Sequence, residues 1–335
     1  MYTFSEISYD ELESAVLAAG VNLPIEQTGA WAAYEKTIPG RSEWGALVCK
    51  QDDVPVAYVM FDDYETHGYH YLRAHHGPIW LEAPDADQER ALLEDLVAYV
   101  KDRDKAVAFM RLAVDHDLDI CRPCLSTIPY DATVIVDVTG GDDEILARMK
   151  PRGRRDVRKA LRESPATCAD ETDKANESFE EYYAVMVETG ERDGFTPAPL
   201  EEYQAFIRLL GPERCRVFVG RLEDGTVVNW AIDTISGTRG TRFYAASSTA
   251  TMRMHVTDKL AYFELCELGR LGCTDVDMMA VGSDFSPELL GLNEFKTKFT
   301  KDPIARVAPD RDLPVKGTFY QALVLAKRAK NKLAR

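Results

Sequence analysis

VPVAYVMF (54–61) and TVVNWAI (226–232) are two β-rich apolar runs, and Val56-Ala57-Tyr58 stands 172 residues before Val228-Asn229-Trp230. The flanks repeat as well. WGALVCK (44–50) precedes the first run and CRVFVGRL (215–222) the second; YHYLRA (69–74) and TRFYAAS (241–247) follow them. All six have strand composition and are separated by short turns. A helical pattern comes next at Gln88–Arg103, with Leu92, Leu93, Leu96 and Val100 on one face, and again at Val256–Leu271. VAFMRLAV (107–114) and Asp275–Met279 close the two sets as strands. The order strand, hairpin, strand, helix, strand therefore occurs twice.

A chain of 335 residues, 45% hydrophobic and 29% charged, has room for two such domains and the composition of a globular protein. The repeated order predicts an α/β (α+β) architecture: two tandem N-acetyltransferase-like (GNAT) domains with mixed central sheets flanked by helices. The polar turn Thr139-Gly140-Gly141-Asp142-Asp143 is the expected boundary, giving domains 1–141 and 142–335. Extra helices are expected in the second domain at Phe179–Gly190, Leu200–Leu210 and Thr318–Leu333. Residues 1–142 hold 10 Lys/Arg against 26 Asp/Glu, and the remainder 30 against 30. The first domain is thus expected to be acidic and the second to carry local basic clusters, which can bind a polyanion whatever the total charge.

No run of about 18 apolar residues is present, and the first residues are acidic where a leader peptide is basic. Seven scattered cysteines fit buried thiols in a reducing compartment, so the expectation is a cytoplasmic protein. Phosphate loops of the G-x-x-x-x-G-K-[ST] kind, G-x-G-x-x-G turns and G-x-S-x-G elbows are absent. His67, His70, His75 and His76 lack zinc-site spacing, so no metal and no cofactor is expected.

Two constellations remain. In MKPRGRRDVRKALRE (149–163), Arg154, Arg158 and Arg162 share a helix face, with Arg155 and Lys159 beside them. Like charges at that spacing destabilise a helix unless countered, either by nearby carboxylates or by a nucleic acid. In GLNEFKTKFTKDP (291–303), Phe295 and Phe299 sit four apart and anchor a helix end, which leaves Lys296 fixed at its rim. A lysine held in this way can stabilise an oxyanion, or it can simply be solvated.

In order along the chain, these motifs resemble the Fem family of non-ribosomal peptidyl transferases. The resemblance rests on Gln27 with Trp31, HHGPIW (75–80), Met149–Ala160, ETGERDGF (188–195) with Tyr203, FYAAS (243–247) and Phe295-Lys296. It runs over nearly the whole length and is closest to the compact members that lack a coiled-coil arm. It implies transfer of an amino acid from aminoacyl-tRNA to the side-chain amine of a peptidoglycan precursor, without a cofactor. By the same resemblance Lys296 stabilises the oxyanion with Phe295 beside it, and Lys36, Arg192, Tyr203 and Tyr244 bind the acceptor. The arginine that family members carry four residues before Tyr203 is Pro199 here, with Arg192 the nearest substitute. Arg154, Arg155, Arg158, Lys159, Lys298 and Lys301 are the candidate tRNA contacts. The implied partners are aminoacyl-tRNA and a nucleotide- or lipid-linked muropeptide, bound by a monomer. The basic C-terminal segment suits either the inner face of an anionic membrane or a helix end.

Two rivals stay open on the residues. An acyl-CoA-dependent N-acyltransferase shares the unit, but its pyrophosphate cradle needs glycines and Ser248–Met254 has none. A non-catalytic RNA- or envelope-binding protein would keep the fold and discard the reaction.

Overall fold

The computed structural model describes residues 1–251 and 253–333, with side chains through Ala329. Two units emerge, residues 1–131 with 307–335 and residues 132–306.

The first unit is a seven-stranded sheet. Its strands β1 (Tyr2–Ile7), β2 (Arg41–Gln51), β3 (Val54–Thr66) and β4 (Tyr69–Ala74) form an antiparallel meander. The short β5 (Ile79–Trp80) pairs with β3, and β6 (Val107–Ala113) lies parallel to β4. Helices α1 (Tyr9–Ala18) and α2 (Gly29–Glu35) precede β2, and α3 (Ala86–Arg103) makes the crossover between β4 and β6. Asp85 caps α3 by accepting from the backbone of Asp87 and Gln88, and Gln88 completes the capping box. The α3 face Leu92, Leu93, Leu96 and Val100 packs into one core with Leu47, Val59, Leu72 and Met110. Each buried leucine contributes roughly 1.5–3 kcal/mol of transfer free energy. A closing strand, Asp310–Pro314, pairs antiparallel with β6, and the helix Gly317–Leu333 follows it.

The second unit repeats this plan. It begins with β7 (Ala132–Asp137), α4 (Asp142–Arg148), α5 (Pro151–Glu163), β8 (Thr167–Asp170), α6 (Thr172–Glu177), α7 (Glu180–Asp193) and α8 (Leu200–Leu210). The meander β9 (Cys215–Arg221), β10 (Val227–Ser236) and β11 (Arg239–Ser247) follows. The crossover helix α9 (Val256–Arg270) then leads to β12 (Asp275–Ala280), α10 (Asn293–Lys296) and β13 (Ala305–Arg306). The sheet order is β13-β7-β12-β11-β10-β9-β8, with β11 and β12 the parallel pair. The inward face of α3 recurs 168 positions later as Leu260, Ala261, Glu264 and Leu268, so Glu264 stands where the first unit has Leu96.

The tandem acyltransferase-like plan therefore holds, but the division differs from the expected one. The Gly140-Gly141 turn is real, with both residues at positive φ, yet it lies inside the second unit and starts α4. The chain leaves the first unit after Asp131 and returns at Val307. β7, which follows β6 in sequence, pairs with β12; the closing strand, which follows β12, pairs with β6. The second unit is thus one continuous stretch of chain, whereas the first is completed by a strand that lies beyond the second in sequence. The charge asymmetry between halves dissolves with this division. The first unit holds 17 Lys/Arg against 26 Asp/Glu, and the second 23 against 30.

Candidate active site

The end of β12 is where Lys296 comes to rest. Asn293 clasps the loop beyond this strand, accepting from the Gly282 amide at 2.7 Å and donating to the Gly282 carbonyl at 2.9 Å. That clasp starts α10, and a 3-10 turn over Thr297–Phe299 continues it. Phe295 and Phe299 meet edge to face at 5.2 Å, as their spacing requires, with Phe299 fully buried. Lys296 Nζ then donates to the carbonyls of Met279, at 3.2 Å, and Ala280, at 2.9 Å. An ammonium has three N–H groups, so among the described residues one is left to donate outward. Met279 itself sits at φ +58°, with its amide given to Asp277 at 2.6 Å. Burial lowers the Lys296 ammonium to about 8; the charge of Arg242 acts in the same direction and Asp277 against it.

Under Phe295 lies a buried charged core that the sequence reading missed. Arg242 on β11 places its guanidinium 5.5 Å from the Phe295 ring centre, and its Nε is 2.8 Å from Glu264 on α9. Asp233 on β10 is the cross-strand partner of Arg242 and is fully buried. Neither of its carboxylate oxygens has a hydrogen-bond partner among the described residues. Burial and the nearby Glu264 hold Asp233 well above the usual carboxylate range, and burial raises Glu264 as well. The same pair occurs in the first unit, where Asp62 on β3 faces Arg73 on β4. One signal was available in the sequence: Glu264 is a lone acid on an otherwise apolar helix face.

The expected acceptor residues separate by unit. Tyr203 and Tyr244 come together at 5.3 Å, edge to face. Tyr203 is buried and stacked on Phe179, while Tyr244 is half-exposed. Arg192, at the end of α7, donates to the Ser247 carbonyl at 2.6 Å and pairs with Asp193 at 2.8 Å. Pro199 caps α8. Lys36 belongs to the first unit; it caps the C-terminus of α2, with its exposed ammonium 3.6 Å from Glu43.

The basic helix is α5, begun by Pro151 at its first turn. Gly153 lets its first turn dock on the 298 backbone, since a Cβ there would lie 2.1 Å from the Lys298 carbonyl oxygen. Arg155, Arg158, Lys159 and Arg162 are exposed. Arg155 pairs with Asp156 at 3.0 Å and Lys159 with Glu163 at 3.8 Å. One of the expected tRNA contacts, Lys298, is turned away from the surface by this packing. Lys298 is buried, with its ammonium paired to Asp258 and 3.9 Å from Asp156, because the Phe295–Phe299 anchor turns it inward. Arg154 donates to the Ala147 and Met149 carbonyls and Lys301 to the Ala147 carbonyl, so both satisfy carbonyls at the C-terminal end of α4.

The first turn of α3 is closed to an anion. At α3 the first amides are taken by Asp85, and Asp87 and Glu89 add negative charge. Before α9, the Thr249 amide is given to Glu188 at 2.8 Å. Met252, in the same loop, lies outside the described residues. No group of three or more His, Cys, Asp or Glu among the described residues is arranged to hold a metal ion. No helix among them is long and apolar enough to cross a membrane. The side chains of Lys330 and Lys332 and the whole of Arg335, part of the basic C-terminal segment, lie outside the described residues.

No protein-family signature matches this chain, and no curated protein matches it in sequence. Solved structures do match. FemX aligns with a TM-score of 0.74 at 17% identity, over 96% of this chain and 99% of FemX. The chain shares the fold of FemX. The C-terminal domain of a putative lysylphosphatidylglycerol synthetase from Agrobacterium fabrum aligns with a TM-score of 0.51 at 16% identity, over 80% and 85% of the two chains. A tandem GNAT protein from the clavulanic acid biosynthesis pathway aligns at 0.51 and 12%, over 93% and 97%. FemX and the tandem GNAT protein thus place the two-domain acyltransferase-like plan on independent footing.

Proposed function

We propose that this protein is an aminoacyltransferase that moves an amino acid from aminoacyl-tRNA to the side-chain amine of a peptidoglycan precursor stem peptide. The observation that carries the reading is Lys296, fixed by two main-chain carbonyls with one N–H left to donate. The neutral acceptor amine attacks the ester carbonyl, a C–N bond forms, and the carbonyl oxygen becomes an oxyanion. The Lys296 ammonium donates to that oxygen, an effect worth about 2.7–4 kcal/mol at oxyanion sites. Collapse breaks the bond to the ribose 3′ oxygen, which takes the amine proton through the substrates themselves. Holding two large substrates in line supplies the rest of the acceleration.

Lys36, Arg192, Tyr203 and Tyr244 remain the proposed acceptor contacts, and Arg155, Arg158 and Lys159 the proposed tRNA contacts. Arg154 and Lys301 stay with these as proposed tRNA contacts, since their carbonyl partners leave N–H groups to donate, whereas Lys298 is withdrawn by its burial and ion pairs. Asp85 on the first amides of α3, and Glu188 of α7 on the Thr249 amide in the loop before α9, weigh against CoA, whose pyrophosphate needs free amides there. The lysylphosphatidylglycerol synthetase likeness makes an anionic phospholipid the alternative acceptor, and a cytoplasmic location at the inner membrane face suits either one.

The test is incubation of the protein with charged tRNAs and, in separate reactions, a nucleotide-linked muropeptide, a lipid-linked muropeptide and phosphatidylglycerol vesicles, followed by mass spectrometry. Addition of one amino acid to a muropeptide is the expected result. Addition to the phospholipid redirects the assignment of the acceptor, and transfer from acetyl-CoA alone overturns the reading.

A further inference from the structure

The charged core beneath Phe295 takes no direct part in the proposed reaction. We infer that Arg242, fixed by Glu264, is the positioning residue of the oxyanion site: it supports Phe295 and governs the pH range over which Lys296 stays cationic. The inference rests on the reading of Lys296 given above.

Three observations carry it. Arg242 is held by charge: its Nε lies 2.8 Å from Glu264 without hydrogen-bond alignment, and its Nη2 donates to the other Glu264 oxygen at 3.5 Å. It is fixed from above by the Phe295 ring at 5.5 Å, and Lys298 lies 5.0 Å from the centre of the same ring. A ring flanked by two cations is held by its quadrupole as well as by packing, and Phe295 immediately precedes Lys296. The third observation is the difference between the two units. The first keeps the Asp–Arg strand pair but has Leu96 where the second has Glu264. A carboxylate on the core face of a helix is costly unless it does something there. In the second unit it orients the guanidinium that reaches the Phe295-Lys296 pair.

The charges facing Lys296 come from each neighbouring element. β12 gives Asp277 and the Met279 and Ala280 carbonyls, and β11 gives Arg242. Helix α9 gives Glu264, which acts through Arg242, and Asp258, which pairs with Lys298. Helix α5 gives Asp156, also toward Lys298. Burial raises both Asp233 and Glu264, and Glu264 is the carboxylate that lies against the Arg242 guanidinium, 2.8 Å from its Nε.

Opposite charge changes must therefore move Lys296 in opposite directions. Arg242→Gln removes a positive charge, raises the Lys296 ammonium, and shifts the alkaline fall of kcat/KM upward by at least about half a pH unit. Glu264→Gln leaves the guanidinium uncompensated and shifts that fall downward. Arg242→Lys keeps the charge but not the fork; it leaves the fall near the parent pH and lowers kcat. Displacements in the same direction, or none, overturn the inference, because a merely structural role lowers the folded fraction without moving the limb. Glu264→Gln removes a buried carboxylate and decides the matter if Arg242→Gln does not fold. A 15N NMR titration of Lys296 in the lysine-labelled full chain reads the same displacements without turnover. A failed transfer assay then counts against the proposed reaction, while the titration still decides the part played by Arg242.

Discussion

The two units are built on one plan and differ most where their strand pairs bury charge. Both place an aspartate opposite an arginine across the central hairpin, Asp62 with Arg73 and Asp233 with Arg242. In the first unit that pair joins a largely buried group in which Glu35, from α2, takes the charge of a second arginine. Arg41 is 2.8 Å from Glu35, Tyr64 donates to Glu35 at 2.7 Å, and Arg73 reaches Asp310 at 3.4 Å. In the second unit the arginine is committed to a helix acid, and a lysine on a clasped turn sits beyond it. The shared pair belongs to the fold, whereas Glu264, Phe295 and Lys296 are what the second unit adds. That addition is the reason for assigning the chemistry to the second unit.

The sharpest way to break the comparison is Lys296→Met. Turnover is expected to fall about 10²–10³-fold, with an unchanged circular dichroism spectrum, while Arg73→Met in the first unit leaves kcat within a few fold. The same Lys296 variant carries a stability prediction of opposite sign. The folded ammonium is lowered to about 8 from 10.5, so the unfolded chain binds more protons between those values. Stability therefore rises with pH across that window, and Lys296→Met is expected to raise Tm at pH 7. A lower Tm at pH 7 would contradict the burial argument.

Gly153→Ala comes next. Its Cβ would lie 2.1 Å from the Lys298 carbonyl oxygen, so about 1–3 kcal/mol of stability should be lost, read as a lowered urea midpoint. A pH-dependent effect belongs to Asp62 in the first unit. Burial and Glu35 raise Asp62 to about 8 from 3.8, so the folded chain holds a proton that the unfolded chain has released. That makes stability fall from about pH 4 to pH 8. Asp62→Asn should therefore raise Tm at pH 8 and leave it nearly unchanged below pH 4. Smallest of all, Arg158→Ala with Lys159→Ala should weaken tRNA binding and reduce the slope of log K against log salt by roughly 0.7–0.9 for each phosphate no longer neutralised. An unchanged slope removes α5 from the tRNA interface.

Periodicity carried most of the fold. The meander, the crossover helices and even the bounds of Leu200–Leu210 follow from local spacing, because strands and helices bury faces at fixed repeats. The domain boundary did not follow, since a Gly-rich turn announces a change of direction and says nothing about which sheet the next strand joins. Pairing of Asp310–Pro314 with β6 spans some two hundred residues and leaves no local trace. Lys296 and Lys298 show the same limit within a site. Both are lysines flanked by phenylalanines, yet one points its ammonium at main-chain carbonyls and the other into two aspartates. That difference depends on Asp156 and Asp258, which are remote in sequence. Glu264 was legible in principle, as a carboxylate on a stripe of leucines.

The late strand Asp310–Pro314 also bears on how the chain matures during synthesis. A ribosome that has translated through Arg306 has delivered every strand of the second sheet, while the first sheet still lacks the strand that covers β6. The unit begun first is thus finished last, and its open β6 edge must wait through the making of an entire neighbouring domain. Order of synthesis and order of completion run in opposite directions here. Fragments ending before Asp310 are the ones to expect in aggregates.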